Sequence, residues 1–149
     1  DLFIIDTGSV FDSYFCDFDR NYAFGHIGDE AKKAYRVAYD ATEAGFNAAQ
    51  VGNTTSDIFN AMNDILQKGG ALGNTVGRLG HGLGMQLTEW PSNTSTDNTV
   101  LEPGVVLTLE PGMAFLPGKE MVHEENIVIT ENGPEWLSIR AADELPIIQ

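Results

Sequence analysis

The chain has 149 residues, a net charge of -14 and 42 % hydrophobic residues, enough apolar material for one domain with its own core and too little length for two. The acidic balance excludes nucleic acid and anionic membrane surfaces as partners, and no run is apolar for long enough to span a bilayer. One cysteine, Cys16, rules out an internal disulfide and fits a reducing, cytoplasmic setting, while a start at Asp1 directly in a strand pattern reads as a piece of a longer chain, with any targeting signal upstream.

Leu2 to Ile5 reads as a buried strand ending on Asp6, with Thr7-Gly8-Ser9 as a turn and Tyr14 to Arg20 as a second strand. Alternation puts Tyr14, Cys16 and Phe18 on one face of that strand and Phe15, Asp17 and Asp19 on the other. Paired as a hairpin, the two strands bring Asp6 and Asp17 nearly opposite each other. Like charges so placed repel across a sheet unless a cation lies between them. A solvated acidic turn is the plainer reading of this stretch taken alone.

Asn21 to Gly28 reads as a loop, and Asp29 as the N-cap of a helix to about Ala49. Ala34, Val37, Ala38, Ala41, Ala44 and Ala48 form its inner stripe, Lys32, Lys33, Arg36, Asp40 and Glu43 its outer face, and Gly45 weakens its second half. Thr54 and Thr55 open a second helix with Ile58, Phe59, Met62, Ile65 and Leu66 as its stripe, closed by Gly69-Gly70. Both are packing elements.

Gly73 to Pro91, GNTVGRLGHGLGMQLTEWP, has four glycines in the eight residues from Gly77 to Gly84. It is a poor dinucleotide fingerprint, because the spacing is wrong and no long helix can follow before Pro91. His81 has glycine on both sides, which denies it neighbouring side chains and favours a presented imidazole. Asn93 to Thr99 is a polar loop without obvious chemistry. Val105 to Glu110 is an apolar strand that ends on a carboxylate before Pro111-Gly112, and Pro117-Gly118 is a tight turn. Met121 to Thr130 reads as one long strand, Glu131-Asn132-Gly133 as a turn, Glu135 to Ser138 as a short strand, and the tail from Ala141 carries no signal. In the long strand His123, Glu125, Ile127 and Ile129 share one face and Val122, Glu124, Asn126 and Val128 the other. Parity leaves open which glutamate points inward.

Carboxylates from two strand pairs and one imidazole make an oxygen-rich donor set suited to Mn²⁺, Co²⁺, Zn²⁺ or Fe²⁺, with enough ligands for two ions. Two such ions together activate water and polarise a carbonyl. No Ser-His-Asp or Cys-His arrangement competes.

The stretches IIDTGSVFDSYFCDFDR, GHGLGMQLTEWP, LEPGVVLTLEPG and VHEENIVITENGPEWLS resemble, in order and spacing, the pita-bread-fold metallopeptidases: prolidase, aminopeptidase P, methionine aminopeptidase and their non-peptidase relative creatinase. The resemblance implies an α+β pita-bread fold with a curved antiparallel sheet and two packing helices. It makes residues 1–149 one domain, the metal-bearing C-terminal part of a catalytic unit whose upstream half is missing. It further implies that Asp6 chelates one metal, that Asp17 and Glu125 bridge both, and that His81 and Glu110 complete the other, with Glu110 as proton shuttle. The metals it implies are Mn²⁺ or Co²⁺ first, Zn²⁺ or Fe²⁺ second, and the assembly a homodimer. The spacings sit closest to the proline-specific branch, so the expected activity is that of an Xaa-Pro dipeptidase or aminopeptidase on a small peptide.

Two positions depart from the family. Thr88 stands where the peptidases carry a second, substrate-contacting histidine, and His123, on the face of Glu125, where the proline-specific enzymes usually have arginine, which implies a place for both against substrate or just behind the metal ligands. Thr88 sets a second reading beside the first, a relative acting on a small molecule through creatinase-like C-N hydrolysis or C-S cleavage. A catalytically inactive binding module is the third reading, and the intact ligand set argues against it.

Overall fold

The computed structural model describes residues 1–73 and 77–149; residues 74–76 of the glycine-rich stretch lie outside the described residues. Strands β1 (Leu2–Phe11) and β2 (Tyr14–Phe24) pair antiparallel along their whole length. Their turn is Asp12-Ser13, with φ of 50° and 72°, the left-handed pair that matches the twist of a two-residue hairpin. Thr7-Gly8-Ser9 is therefore mid-strand rather than a turn. Gly8 is required there because a Cβ would run into the carbonyl oxygen of Cys16. β1 is an edge strand, mostly exposed and with no fully buried residue, so Leu2 to Ile5 is not the buried strand expected, and β2 runs on past Arg20 into the segment expected to be loop.

Helix α1 (Asp29–Ala48) is capped by Gly28 without a side-chain hydrogen bond, so Asp29 is its first residue, and Asp29 and Glu30 face the positive end of its dipole. Its buried stripe is mostly alanine, which lets α2 (Thr55–Gly69) approach closely. Gly45 also marks this crossing: a Cβ there would lie 2.8 Å from Cγ and Sδ of Met62. Thr54 and Asp57 form a capping box, and Gly70 ends α2 at φ 95°.

Among the described residues eight short strands follow: β3 (His81–Gly82), β4 (Glu89–Ser92), β5 (Val106–Leu109), β6 (Gly112–Leu116), β7 (Lys119–Val122), β8 (Glu125–Thr130), β9 (Gly133–Trp136) and β10 (Ile147–Ile148). A five-stranded sheet has the order β4-β3-β5-β8-β9, β6 and β7 form a hairpin about Pro117-Gly118, and β10 pairs parallel with β2. The tail thus closes the edge of the first hairpin. The expected strand from Met121 to Thr130 is broken in two: β7 pairs with β6, β8 pairs with β5 and β9, and His123-Glu124 is the joint. Leu107, Leu109, Ile127 and Ile129 from the large sheet form one buried cluster with Ile58, Met62 and Leu66 of α2 and the alanines of α1.

Candidate metal centre

In β2 the buried side chains are Asp17, Asp19, Asn21 and Ala23, three of them polar. The hairpin register pairs Asp6 with Asp19 and Gly8 with Asp17, so Asp6 lies directly opposite Asp19, not Asp17 as expected, with Asp17 its diagonal neighbour on the same face. His81 enters from β3, which is squeezed between β4 and β5 by its glycines: a Cβ on Gly82 would meet the Trp90 carbonyl, and one on Gly80 the Thr108 carbonyl. The His81 amide donates to Thr108 Oγ1 at 3.1 Å, and Nδ1 lies 2.9 Å from the Gly82 carbonyl. That contact places the ring proton on Nδ1 and leaves Nε2 as a lone-pair donor.

Nε2 stands 3.8 Å from Asp17, 4.0 Å from Glu110 and 3.7 Å from Glu124. These separations are too long for hydrogen bonds and suit donors that share an ion bonded at about 2.0 to 2.2 Å to each. One oxygen each of Asp6, Asp19 and Glu124 also lie within 4.8 Å of one another, and Glu124 belongs to both groups. Among the described residues, Asp19 Oδ1 and Glu124 Oε1 are buried without a hydrogen-bond partner. Orphaned carboxylate oxygens facing like charge are what a cation-binding cluster presents when no cation neutralises it. The residues fit divalent metal.

The electrostatics agree. Burial, then the neighbouring acids, pushes the Glu124 carboxyl up to about 9 and that of Asp19 up to about 7. Burial likewise raises Asp17 and Glu110 and lowers His81. Asp19 and Glu124 are therefore carboxyls whose ionised form is disfavoured until positive charge is brought near.

Glu125 is not part of it. Its carboxylate receives Arg20 Nη2 at 3.1 Å, the Ala141 amide at 2.8 Å and the Ser138 hydroxyl, with Arg140 Nε 3.7 Å away. The structure places Glu124 in the cluster instead. Parity decides this: Asn126, on the Glu124 side of β8, exchanges hydrogen bonds with the Asp17 backbone, so that side faces the hairpin and the Glu125 side faces away. His123 shares the Glu125 side, as expected, its ring edge-on to Tyr35 at 4.4 Å. Burial, with help from Arg140 and Arg20, lowers it to about 3, so it is a neutral core ring. With Glu124 in the cluster, the position two residues before it is Val122. Thr88 is exposed on the loop between β3 and β4.

Four supporting residues escaped sequence reading. Asp19 shares strand parity with Asp17, and counting back from an Asp12-Ser13 turn would have set it opposite Asp6. Glu124 was one of two open choices. Arg20 donates to the carbonyls of Asp19 and Glu124 as well as to Glu125, tying the hairpin to the β7–β8 joint. Asn93, fully buried, donates to the Thr108 carbonyl at 2.9 Å and fixes β3 against β5, a long-range role that no local pattern announces. Beside the cluster lies an open recess of about 290 Å³ lined by Asp6, Gly8, Phe15, Asp17 and Leu87 among others.

Residues 1–131 match the model of metallopeptidase family M24. The chain belongs to this family. It is 32 % identical over 139 residues to an Xaa-Pro dipeptidase of Pyrococcus furiosus, covering 93 % of this chain and 40 % of the relative. A dipeptidase structure from Pyrococcus horikoshii OT3 superposes with a TM-score of 0.91 at 30 % identity, covering 99 % of this chain and 41 % of that one. An X-Pro aminopeptidase structure from Thermotoga maritima gives 0.89 at 27 % identity, over 99 % and 42 %. The M24 chain thus has the α+β pita-bread architecture and spans about two fifths of the length of these relatives. None of its helices is long and apolar enough to cross a membrane among the described residues.

Proposed function

We propose that the protein containing this chain is a metal-dependent hydrolase that cleaves an Xaa-Pro bond or a similar small amide, using two divalent ions, Mn²⁺ or Co²⁺ before Zn²⁺ or Fe²⁺. The observation that carries this reading is the convergence of His81 Nε2 with Asp17, Glu110 and Glu124 from separate strands on an M24 fold. Asp17, His81, Glu110 and Glu124 would hold one ion, and Asp6 with the shared Asp17 and Glu124 the other. When bound, the pair supplies Lewis acidity that polarises a carbonyl and activates water.

The chain's own residues do the rest. His81 keeps its ring neutral through burial and its ring proton on Nδ1 through the Gly82 carbonyl. Glu110, more exposed than Asp17, His81 and Glu124 at 24 % side-chain accessibility, is the group able to take a proton from water and return it to the leaving amine. Its carboxyl is raised by burial, closer to the working range of a proton shuttle. The recess lined by Phe15 and Leu87 offers an apolar wall for a small residue next to the cluster.

Glu110→Gln should abolish turnover of Xaa-Pro dipeptides even at divalent concentrations raised until elemental analysis shows the centre filled; unchanged turnover removes Glu110 from the proton path. Thr88, exposed where a substrate histidine is expected, favours a second reading, cleavage of a small non-peptide acid. Assaying Xaa-Pro dipeptides and tripeptides beside methylated and sulfonium-bearing acids separates the two, and cleavage of only the acids defeats the peptidase reading.

A further inference from the structure

We propose that Asp19 is itself a cation ligand, one carboxylate more on the Asp6 side of the centre than Asp6, Asp17 and Glu124 supply. This rests on reading the cluster as a metal centre. Asp19 is 4 % exposed, sits opposite Asp6 in the hairpin register, and offers an oxygen within 4.8 Å of those of Asp6 and Glu124. Its Oδ1 is buried and finds no donor among the described residues. The nearest cation in sequence, Arg20, spends a short contact of 2.7 Å on the backbone carbonyl of Asp19 and aims its other nitrogen at Glu125 and the Ile139 carbonyl. Two carboxylates facing each other across an antiparallel pair destabilise it, and neither a salt bridge nor water-facing exposure of Asp19 relieves this pair.

A divalent ion between Asp6, Asp19 and Glu124 supplies the missing positive charge. Its donors are all oxygen, which suits hard ions such as Mn²⁺ or Mg²⁺, whereas the imidazole of His81 makes the neighbouring position more hospitable to Zn²⁺.

Metal-stripped full-length protein is titrated with Mn²⁺ by calorimetry and followed by electron paramagnetic resonance. The unaltered protein takes up two Mn²⁺ that give an exchange-coupled spectrum. Asp19→Asn, which keeps the shape and removes the charge, retains one ion and weakens the other by at least the roughly 10- to 100-fold that loss of a supporting partner costs a metal site. Its spectrum becomes that of an isolated ion. Asp19→Ser behaves the same way and guards against a fault specific to the amide. His81→Asn loses the complementary position, read as lost Zn²⁺ uptake. If both Asp19 variants bind two coupled Mn²⁺ as tightly as the unaltered protein does, Asp19 is no ligand and the centre stands without it. If the unaltered protein binds no divalent metal, the reading of the centre falls and takes this proposal with it.

Discussion

Adjacent glutamates at the β7–β8 joint have opposite fates, and the difference is measurable one side chain at a time. Glu125 has no accessible side-chain surface and is matched to Arg20 and Arg140, which are themselves mostly buried. Glu125→Gln takes the paired carboxylate from Arg20, leaves Arg140 with Glu43, and should cost about 3 to 5 kcal/mol in chemical denaturation, the usual penalty for breaking a buried ion pair, while metal affinity in the folded fraction changes little. Glu124→Gln should do the reverse. It removes a carboxyl whose burial already opposes ionisation, so metal-free protein is no less stable, while divalent affinity falls by at least about 10- to 100-fold. If Glu125→Gln strips the metal and Glu124→Gln leaves it, the assignment of the two residues is inverted.

The elements that hold the centre are short, and their precision comes from backbone fit. β3 contributes only His81 and Gly82, and it is positioned by Asn93, whose amide reaches the Thr108 carbonyl of β5 and, at 3.4 Å, the Leu79 carbonyl. Asn93→Ala should cost about 1 to 3 kcal/mol for the Thr108 carbonyl left unpaired, the Leu79 carbonyl keeping the Glu110 amide, and is seen as a lower urea midpoint. It should also weaken metal binding although Asn93 lies outside the donor set, because His81 loses its fixed position. A variant that melts earlier but binds metal normally would mean that β5 alone aligns β3. Both helices were legible in the sequence, since alanine spacing in α1 and the Thr54 and Gly70 boundaries of α2 are local signals. The hairpin was legible as strands but not in register, because the turn residues Asp12 and Ser13 are not glycine and Gly8 mimicked a turn where it serves a close backbone approach. The choice of Glu124 over Glu125 was not legible, because alternation tells which residues share a side but not which side meets the hairpin, and that is set by the long-range contact of Asn126 with the Asp17 backbone.

At the scale of the whole molecule, acids gathered at one point make stability depend on pH and on metal together. Asp19 and Glu124 sit well above their ordinary values of 3.8 and 4.5, at about 7 and about 9. A carboxyl raised in the folded state binds more protons there than in the unfolded chain, so its contribution is present at low pH and is lost as pH rises through the folded value. His123 works in the opposite sense: lowered from 6.5 to about 3, it resists protonation when folded and penalises the fold as pH drops through that range. Above pH 6.5 the histidine contribution is constant and only the carboxyls act. Metal-free protein should therefore lose thermal stability steadily from pH 6.5 to 9. Divalent metal reverses the slope, because binding displaces those protons and grows stronger as they become easier to remove. At a free concentration about 100-fold above Kd the metal adds about 2.7 kcal/mol, so the gap between Mn²⁺-loaded and chelator-treated melting curves should widen with pH. Curves that stay parallel across that range would mean that the protons and the metal do not share these side chains.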